Sequence, residues 1–207
     1  MTTLYYVHDP MCSWCYGFGQ TWLQLQAALP DEINIIRVLG GLAADTDEPM
    51  PDALRQQISN GWHRIEQHIP GVKFNFDFWD KTQPRRSTYP ACRAVIAARK
   101  QGKHYDLEMT SAIQQAYYQQ TRNPSDDSTL IELADEIGLK VTDFKNDLVT
   151  PATQQELYDE IQQARVMHAD SFPNLVLEHN GGFWPIAIDY NSPQPMFDII
   201  EDIISHE

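Results

Sequence analysis

Residues 12–15 read Cys-Ser-Trp-Cys and follow a short apolar run, Leu4-Tyr5-Tyr6-Val7, that is broken by Asp9-Pro10. This is the arrangement that most constrains the chain: a buried strand hands over to a helix at the first cysteine. Two cysteines separated by two residues can close a small disulfide ring and reopen it. At a helix N-terminus the unsatisfied N–H groups and the dipole stabilise a thiolate at the first of them. The thiolate is the species that attacks disulfides. The motif therefore points to thiol–disulfide chemistry.

The rest of the pattern says what surrounds that motif. Residues 13–29 read as a helix, with Trp14, Phe18, Leu25 and Leu29 at helical spacing, and 33–39 as a second strand closed by Gly40-Gly41. From residue 45 to 167 strand signals nearly vanish. Helices are expected over 51–68, 90–100, 105–120, 128–137 and 151–168, with an aromatic connector at 75–79. Strand character returns at 174–178, turns at Asn180-Gly181-Gly182, runs back over 183–188, and gives way to an amphipathic helix at 193–204. The expected fold class is α/β: a thioredoxin fold (β-α-β, then β-β-α) interrupted by an all-helical insertion. The expected domains are a discontinuous thioredoxin-like unit, 1–44 with 168–207, and a helical insertion, 45–167. In that fold a cis-proline precedes the strand after the insert and faces the cysteines. Ser171-Phe172-Pro173 stands in that place.

Asp9-Pro10-Met11-Cys12-Ser13-Trp14-Cys15-Tyr16-Gly17 resembles the opening motif of the DsbA-like thioredoxin family, and more narrowly its cytoplasmic, FrnE-like branch. Ala116-Tyr117-Tyr118, residues 130–138 and Phe172-Pro173 fall where that family's pattern places them. The resemblance implies a thiol–disulfide oxidoreductase or isomerase in which Cys12 is the nucleophile, Cys15 the resolving cysteine and Pro173 the cis-proline. Trp14 and Phe172 would then offer substrate a partly exposed apolar surface. Two departures stand out. The dipeptide between the cysteines is Ser-Trp where the periplasmic oxidant of the family has Pro-His, and no second cysteine pair follows toward the C-terminus.

Composition narrows the partners. Fifteen basic against 29 acidic residues give a net charge of −14, which disfavours nucleic acid and anionic membrane surfaces. No stretch approaches the ~20 apolar residues that span a bilayer. The start of the chain enters a strand pattern at once, so no signal peptide is expected and the expected location is cytoplasmic. Three cysteines with one close pair are not a disulfide framework. A closed zinc site needs four ligands. His8, His63, His68 and Cys92 are the other candidates, but none forms a second tight pair, so no metal is expected. No phosphate-binding glycine motif appears, so no nucleotide cofactor is expected; the oxidoreductase reading expects electrons to pass to or from glutathione, as a co-substrate, or another dithiol protein.

The expected partners are thiol- or disulfide-containing proteins or small molecules. Two other readings compete. One is a glutathione-dependent isomerase or transferase of the kappa-like branch, whose members generally carry a single serine in place of the cysteine pair. The other is a non-enzymatic peptide-binding module. Cys92 reads as a buried small hydrophobe, with the alternative that the segment 87–93 faces the site, as its counterpart does in the kappa-like relatives. His8 reads as a strand-end histidine, with the alternative that it tunes Cys12. Phe74, Phe76, Phe78 and Trp79 read as packing between insert and core.

Overall fold

The computed structural model describes residues 2–205. Strand β1 (Thr2–His8) leads through a short loop into helix α1 (Ser13–Ala28), and β2 (Ile33–Leu39) returns parallel to β1 with Thr2 opposite Ile33 and His8 opposite Leu39. Seven helices follow: α2 (Asp52–His68), α3 (Phe78–Lys81), α4 (Tyr89–Arg99), α5 (Tyr105–Tyr118), α6 (Asp127–Glu136), α7 (Val141–Leu148) and α8 (Pro151–Val166). The chain closes with β3 (Asn174–His179), β4 (Gly182–Ile186) and α9 (Gln194–Ser205). The sheet order is β2-β1-β3-β4, with β3 antiparallel to both its neighbours. This is the expected thioredoxin layout, with the helices α2 to α8 between β2 and β3.

β1 is central in the sheet, so it needs apolar side chains on both faces. Leu4 and Tyr6 face Phe18, Trp22 and Leu25 of α1 and Met196 and Ile200 of α9, while Tyr5 and Val7 face Ala164 and Met167 at the end of α8. A third core fills the helical segment around Trp62, which stacks on Phe74 at 4.9 Å and meets Phe78, Trp79, Tyr117 and Tyr118. Each such side chain contributes about 1.5–3 kcal/mol when fully buried. The expected packing of Phe74, Phe78 and Trp79 is seen there, and Phe76 is half-buried beside it, stacked on His63 at 4.1 Å.

A buried ionic network fastens the helices to the edge of the sheet. Arg37 of β2 donates to Asp106 of α5 at 2.6 Å, and Arg99 of α4 donates to the same carboxylate at 2.8 Å. Arg99 also donates to Glu160 of α8, whose other oxygen accepts the Leu39 backbone N–H at 2.6 Å. Burial pushes the Glu160 carboxyl up, against the pull of Arg99.

Two helices were not anticipated. α7 is short, opens on β-branched Val141 and Thr142, and contains Asn and Asp, all weak helix formers. Burial of Phe144 and Leu148 holds it in place. α3 is a single turn within the aromatic connector, with Phe78 and Trp79 both buried. At the hairpin, Asn180 and Gly181 have φ of 48° and 80°, the left-handed pair that a type I′ turn requires.

Candidate active site

The site is built on the loop that ends β1. Asp9 is fully buried there, and its carboxylate accepts four hydrogen bonds. The Met11 N–H reaches one oxygen at 2.8 Å. The Leu42 N–H (2.7 Å), the Thr88 hydroxyl (2.7 Å) and the Cys92 thiol (3.5 Å) reach the other. A single side chain thus ties the β1–α1 loop to the β2–α2 loop and to the start of α4. Burial pushes the Asp9 carboxyl up, and these hydrogen bonds pull it back down.

Above that anchor, Cys12 is the residue that caps α1. Its backbone is extended (φ −81°, ψ 116°), its N–H donates to the Asp9 carbonyl at 3.0 Å, and its carbonyl accepts the Tyr16 N–H at 3.0 Å. The first turn of α1 has no acidic residue and no side-chain cap, so the positive end of the helix dipole is left for the sulfur. Both cysteines are free thiols, Cys12 6% exposed and Cys15 1%. Burial, reinforced by the neighbouring Cys12, pushes the Cys15 thiol well above its ordinary value.

Opposite the pair lies the entry to β3. The Cys12 thiol donates to the Phe172 carbonyl at 3.5 Å, and the Phe172–Pro173 bond is cis. The Phe172 ring lies where a side chain on Gly40 would stand, so the glycine ending β2 is what admits it.

At the rim the expected Trp14 is joined by Tyr190, which the sequence did not single out, and by His68, weighed there only as a zinc-ligand candidate. Trp14, half-buried, packs on Tyr190 (ring centroids 5.0 Å apart) and meets His68 edge-on at 6.1 Å, and His68 meets Tyr190 at 6.0 Å. Burial and the nearby Cys12 and Cys15 push the Tyr190 phenol up. On the inner side the Tyr118 phenol is pushed up by burial first and then by Tyr117 and the two sulfurs. No local pattern marks His68 or Tyr190, whereas Tyr118 lies in the Ala116-Tyr117-Tyr118 run. They come from the ends of α2 and α5 and from the loop before α9, and only the tertiary fold assembles them. Beside them a cavity of about 580 Å3 runs along α1, walled by Tyr16, Gln20, Gln24, Ile69, Gln114 and Tyr190, and no charged side chain lines it.

The remaining candidates lie elsewhere. His8 is buried and stacked on Tyr6 at 5.0 Å. Burial, with Arg37 and Arg99, holds it well below its ordinary pKa, so it brings no positive charge to Cys12 near neutrality. Cys92 is buried in the helical core, and burial beside Asp9 pushes its thiol well up. The segment carrying it therefore braces the loop from beneath. His63 lies on Phe76, away from His68 at the Trp14 rim, and no group of three or more His, Cys, Asp or Glu converges among the described residues.

A helix capped by one cysteine of a pair, facing a cis-proline across a β2-β1-β3-β4 sheet, is the plan of a thioredoxin-fold protein. Comparison with known proteins agrees: the model of a family described as thioredoxin matches residues 5–182, and the chain belongs to that family. A solved Nitrosomonas europaea protein superposes with a TM-score of 0.86 at 24% identity, covering 100% of this chain and 99% of that one. The cytosolic disulfide reductase DsbM from Pseudomonas aeruginosa gives 0.78 at 24% identity, covering 99% and 100%, and has also been solved with GSH. These likenesses establish the fold. The ClpXP adapter protein SpxH of Halalkalibacterium halodurans is 23% identical over 177 residues, which is 84% of this chain and 57% of that protein's length. No helix among the described residues is long and apolar enough to cross a membrane.

Proposed function

We propose that the protein is a thiol–disulfide oxidoreductase that exchanges disulfides with protein or small-molecule thiols through Cys12 and Cys15. One observation carries this reading: Cys12 caps α1 without a competing acid, while Cys15 is buried one turn inside with its proton held on. In the reduced protein the Cys12 thiolate attacks a substrate disulfide. One substrate sulfur leaves with the electron pair of the broken bond and takes a proton, and a mixed disulfide remains on Cys12. Cys15 then gives up its proton, attacks the Cys12 sulfur and releases the second substrate thiol, leaving an oxidised Cys12–Cys15 pair. The reverse sequence oxidises a substrate dithiol.

Pro173 and Phe172 shape the surface against which substrate lies, and Trp14 supplies an apolar platform at its rim. The uncharged cavity beside Tyr190 suits an extended peptide better than a strongly charged ligand. Electrons come from glutathione or another dithiol, a reading supported by the GSH-bound DsbM structure, and that reductase's cytosolic setting supports a cytoplasmic one here. The unit 1–44 with 168–207 carries the cysteines and the proline. The helical unit 45–167 braces them through Asp9 and the Arg99 network. Wild type should accelerate the reduction of insulin by dithiothreitol, and Cys12→Ser should abolish the acceleration. Full activity in that variant overturns the reading.

The adapter named among the relatives favours a second reading, a peptide-binding module that needs no turnover. It predicts that a Cys12→Ser, Cys15→Ser double variant keeps its protein-binding function, whereas the oxidoreductase reading predicts loss of function.

A further inference from the structure

Phe172 joins the reactive sulfur to a second feature of the fold. Its carbonyl takes the Cys12 thiol at 3.5 Å, and the same residue is a wall of a small cavity of about 280 Å3. Gly40 and Gly41 at the end of β2, Ile161 and Arg165 of α8, and Asp170 share the lining. A Cβ on Gly40 would run into the Phe172 ring and one on Gly41 into Ile161, so side chains are excluded from that wall. A space this small takes one head group rather than a length of chain.

The charges on it are unusual for this protein. Arg165 and Asp170 are exposed, yet they form no ion pair with each other, and neither side chain bonds another described residue. Arginines that line other cavities are spent on acids: Arg85 reaches Asp126 and Arg93 reaches Asp45, each at 2.8 Å, and Arg37 and Arg99 share Asp106. The end of α8 fixes the two open charges separately. The His168 N–H donates to the Arg165 carbonyl at 3.0 Å and the Ala169 N–H to the Ala164 carbonyl at 2.9 Å, with His168 in the left-handed conformation (φ 56°). Asp170 leaves from the far side of that turn. A cation and an anion held apart on one cavity complement a ligand that carries both charges close together. An α-amino acid head group does so, its carboxylate facing the guanidinium and its ammonium the Asp170 carboxylate. A residue inside a polypeptide has neither charge on its backbone, whereas small disulfides built from amino acids have both.

We propose that Arg165 and Asp170 form a recognition site for the zwitterionic α-amino acid head group of a small disulfide, the γ-glutamyl end of glutathione or the head group of cystine, held while its sulfur exchanges with Cys12. The proposal rests on Cys12 being the exchanging sulfur and names what the co-substrate touches. The Cys12 thiolate attacks one sulfur of the small disulfide. The other sulfur leaves with the electron pair of the broken bond and takes up a proton. The half that stays on Cys12 keeps its head group in the cavity until Cys15 displaces it. The pair is then oxidised and the small disulfide has become two thiols. Two thiols reduce the pair by the reverse steps.

The test is the equilibrium between reduced Cys15→Ser protein and its mixed disulfide on Cys12. Intact-mass spectrometry reads it with the glutathione, cystine and cystamine couples, in about 0.15 M salt, where fields beyond ~8 Å are screened. Cystamine carries the ammonium but no carboxylate. Adding Arg165→Gln or Asp170→Asn should lower the adduct constant for glutathione, cystine or both by about fivefold, the size of one exposed charge-assisted contact. Arg165→Gln should leave the cystamine constant where it was. Asp170→Asn separates recognition from the general field. Glutathione disulfide and this chain are both anionic, so removing an acid tightens the glutathione adduct if the field alone acts. Lys145→Gln, which removes a cation from α7, should change none of the constants. A loss confined to glutathione assigns the site to the γ-glutamyl arm, and one confined to cystine assigns it to the amino acid itself. Unchanged constants for both in the two variants overturn the proposal, as does a tighter glutathione adduct in Asp170→Asn or an equal loss with cystamine in Arg165→Gln. In each of those cases adducts still form on Cys12 and the oxidoreductase reading stands. A Cys12 that forms no adduct with any of the three overturns both.

Discussion

The Cys12 thiol points at the Phe172 carbonyl, 3.5 Å away in space and 160 residues on in the chain. That contact joins the two halves of the fold that the helices α2 to α8 separate. The sulfur at the head of α1 and the backbone before β3 face one another; under the proposed exchange, a peptide laid against that backbone would present its cysteine to Cys12.

The position of Phe172 depends on a missing side chain. A Cβ at Gly40 would overlap the Phe172 ring, so Gly40→Ala must push the ring and its carbonyl off the sulfur. Overpacking of this kind costs about 1–3 kcal/mol. Urea denaturation should show a loss in that range, and insulin reduction should slow about tenfold or more. A variant with wild-type stability and turnover would mean that this contact does not hold the site.

Acid should weaken the fold through His8. The buried ring is held neutral well below its ordinary value of 6.5. Below that pH the unfolded chain binds a proton that the folded protein refuses. Stability is therefore full above about pH 6.5 and is lost as the pH falls, by about 1.4 kcal/mol per unit. Asp9 and Glu160, whose carboxyls are raised, act in the opposite sense, because the folded protein takes up their protons first. Comparing urea midpoints of wild type and His8→Phe between pH 7 and pH 5.5 isolates the histidine. The phenylalanine variant, which can keep the stack on Tyr6, should lose the slope. An equal slope in both proteins would place the titrating group elsewhere.

The pair should be a mild oxidant. DsbA, with Pro-His between its cysteines, lies at about −120 mV. Here Trp14 adds no charge and His8 is neutral. A thiolate without a charged histidine beside it makes the disulfide less oxidising, so the potential should lie below about −120 mV. Equilibration with glutathione measures it directly. Replacing Ser13-Trp14 by Pro-His should make the pair more oxidising, and a wild-type value near −120 mV would show that the dipeptide is not what sets it.

The sheet was legible because its signals are local. Short runs of aliphatic, aromatic and β-branched residues mark β1, β2 and β3, Pro30-Asp31 and Gly40-Gly41 punctuate them, and Asn180-Gly181 names its own turn. Cys12, Cys15, Phe172 and Pro173 were legible for the same reason, as short motifs at the junctions of elements. α7 was missed because its sequence argues against a helix, and only the burial of Phe144 and Leu148 overrides it. The four bonds to Asp9 and the gathering of Tyr190 and His68 around Trp14 were not legible. Each joins residues far apart in the chain, and nothing in the pattern around Tyr190 says that it will lie against Trp14.

The most direct test of the account is to trap the intermediate. Reduced Cys15→Ser protein, mixed with a small disulfide-bonded peptide and digested for mass spectrometry, should accumulate a mixed disulfide on Cys12. Reduced wild type should pass through it to the Cys12–Cys15 disulfide, and Cys12→Ser should form no adduct at comparable rates. An adduct on Cys92, or one on Cys15 in Cys12→Ser that forms as fast as the Cys12 adduct, would contradict the assignment of Cys12 as the attacking sulfur.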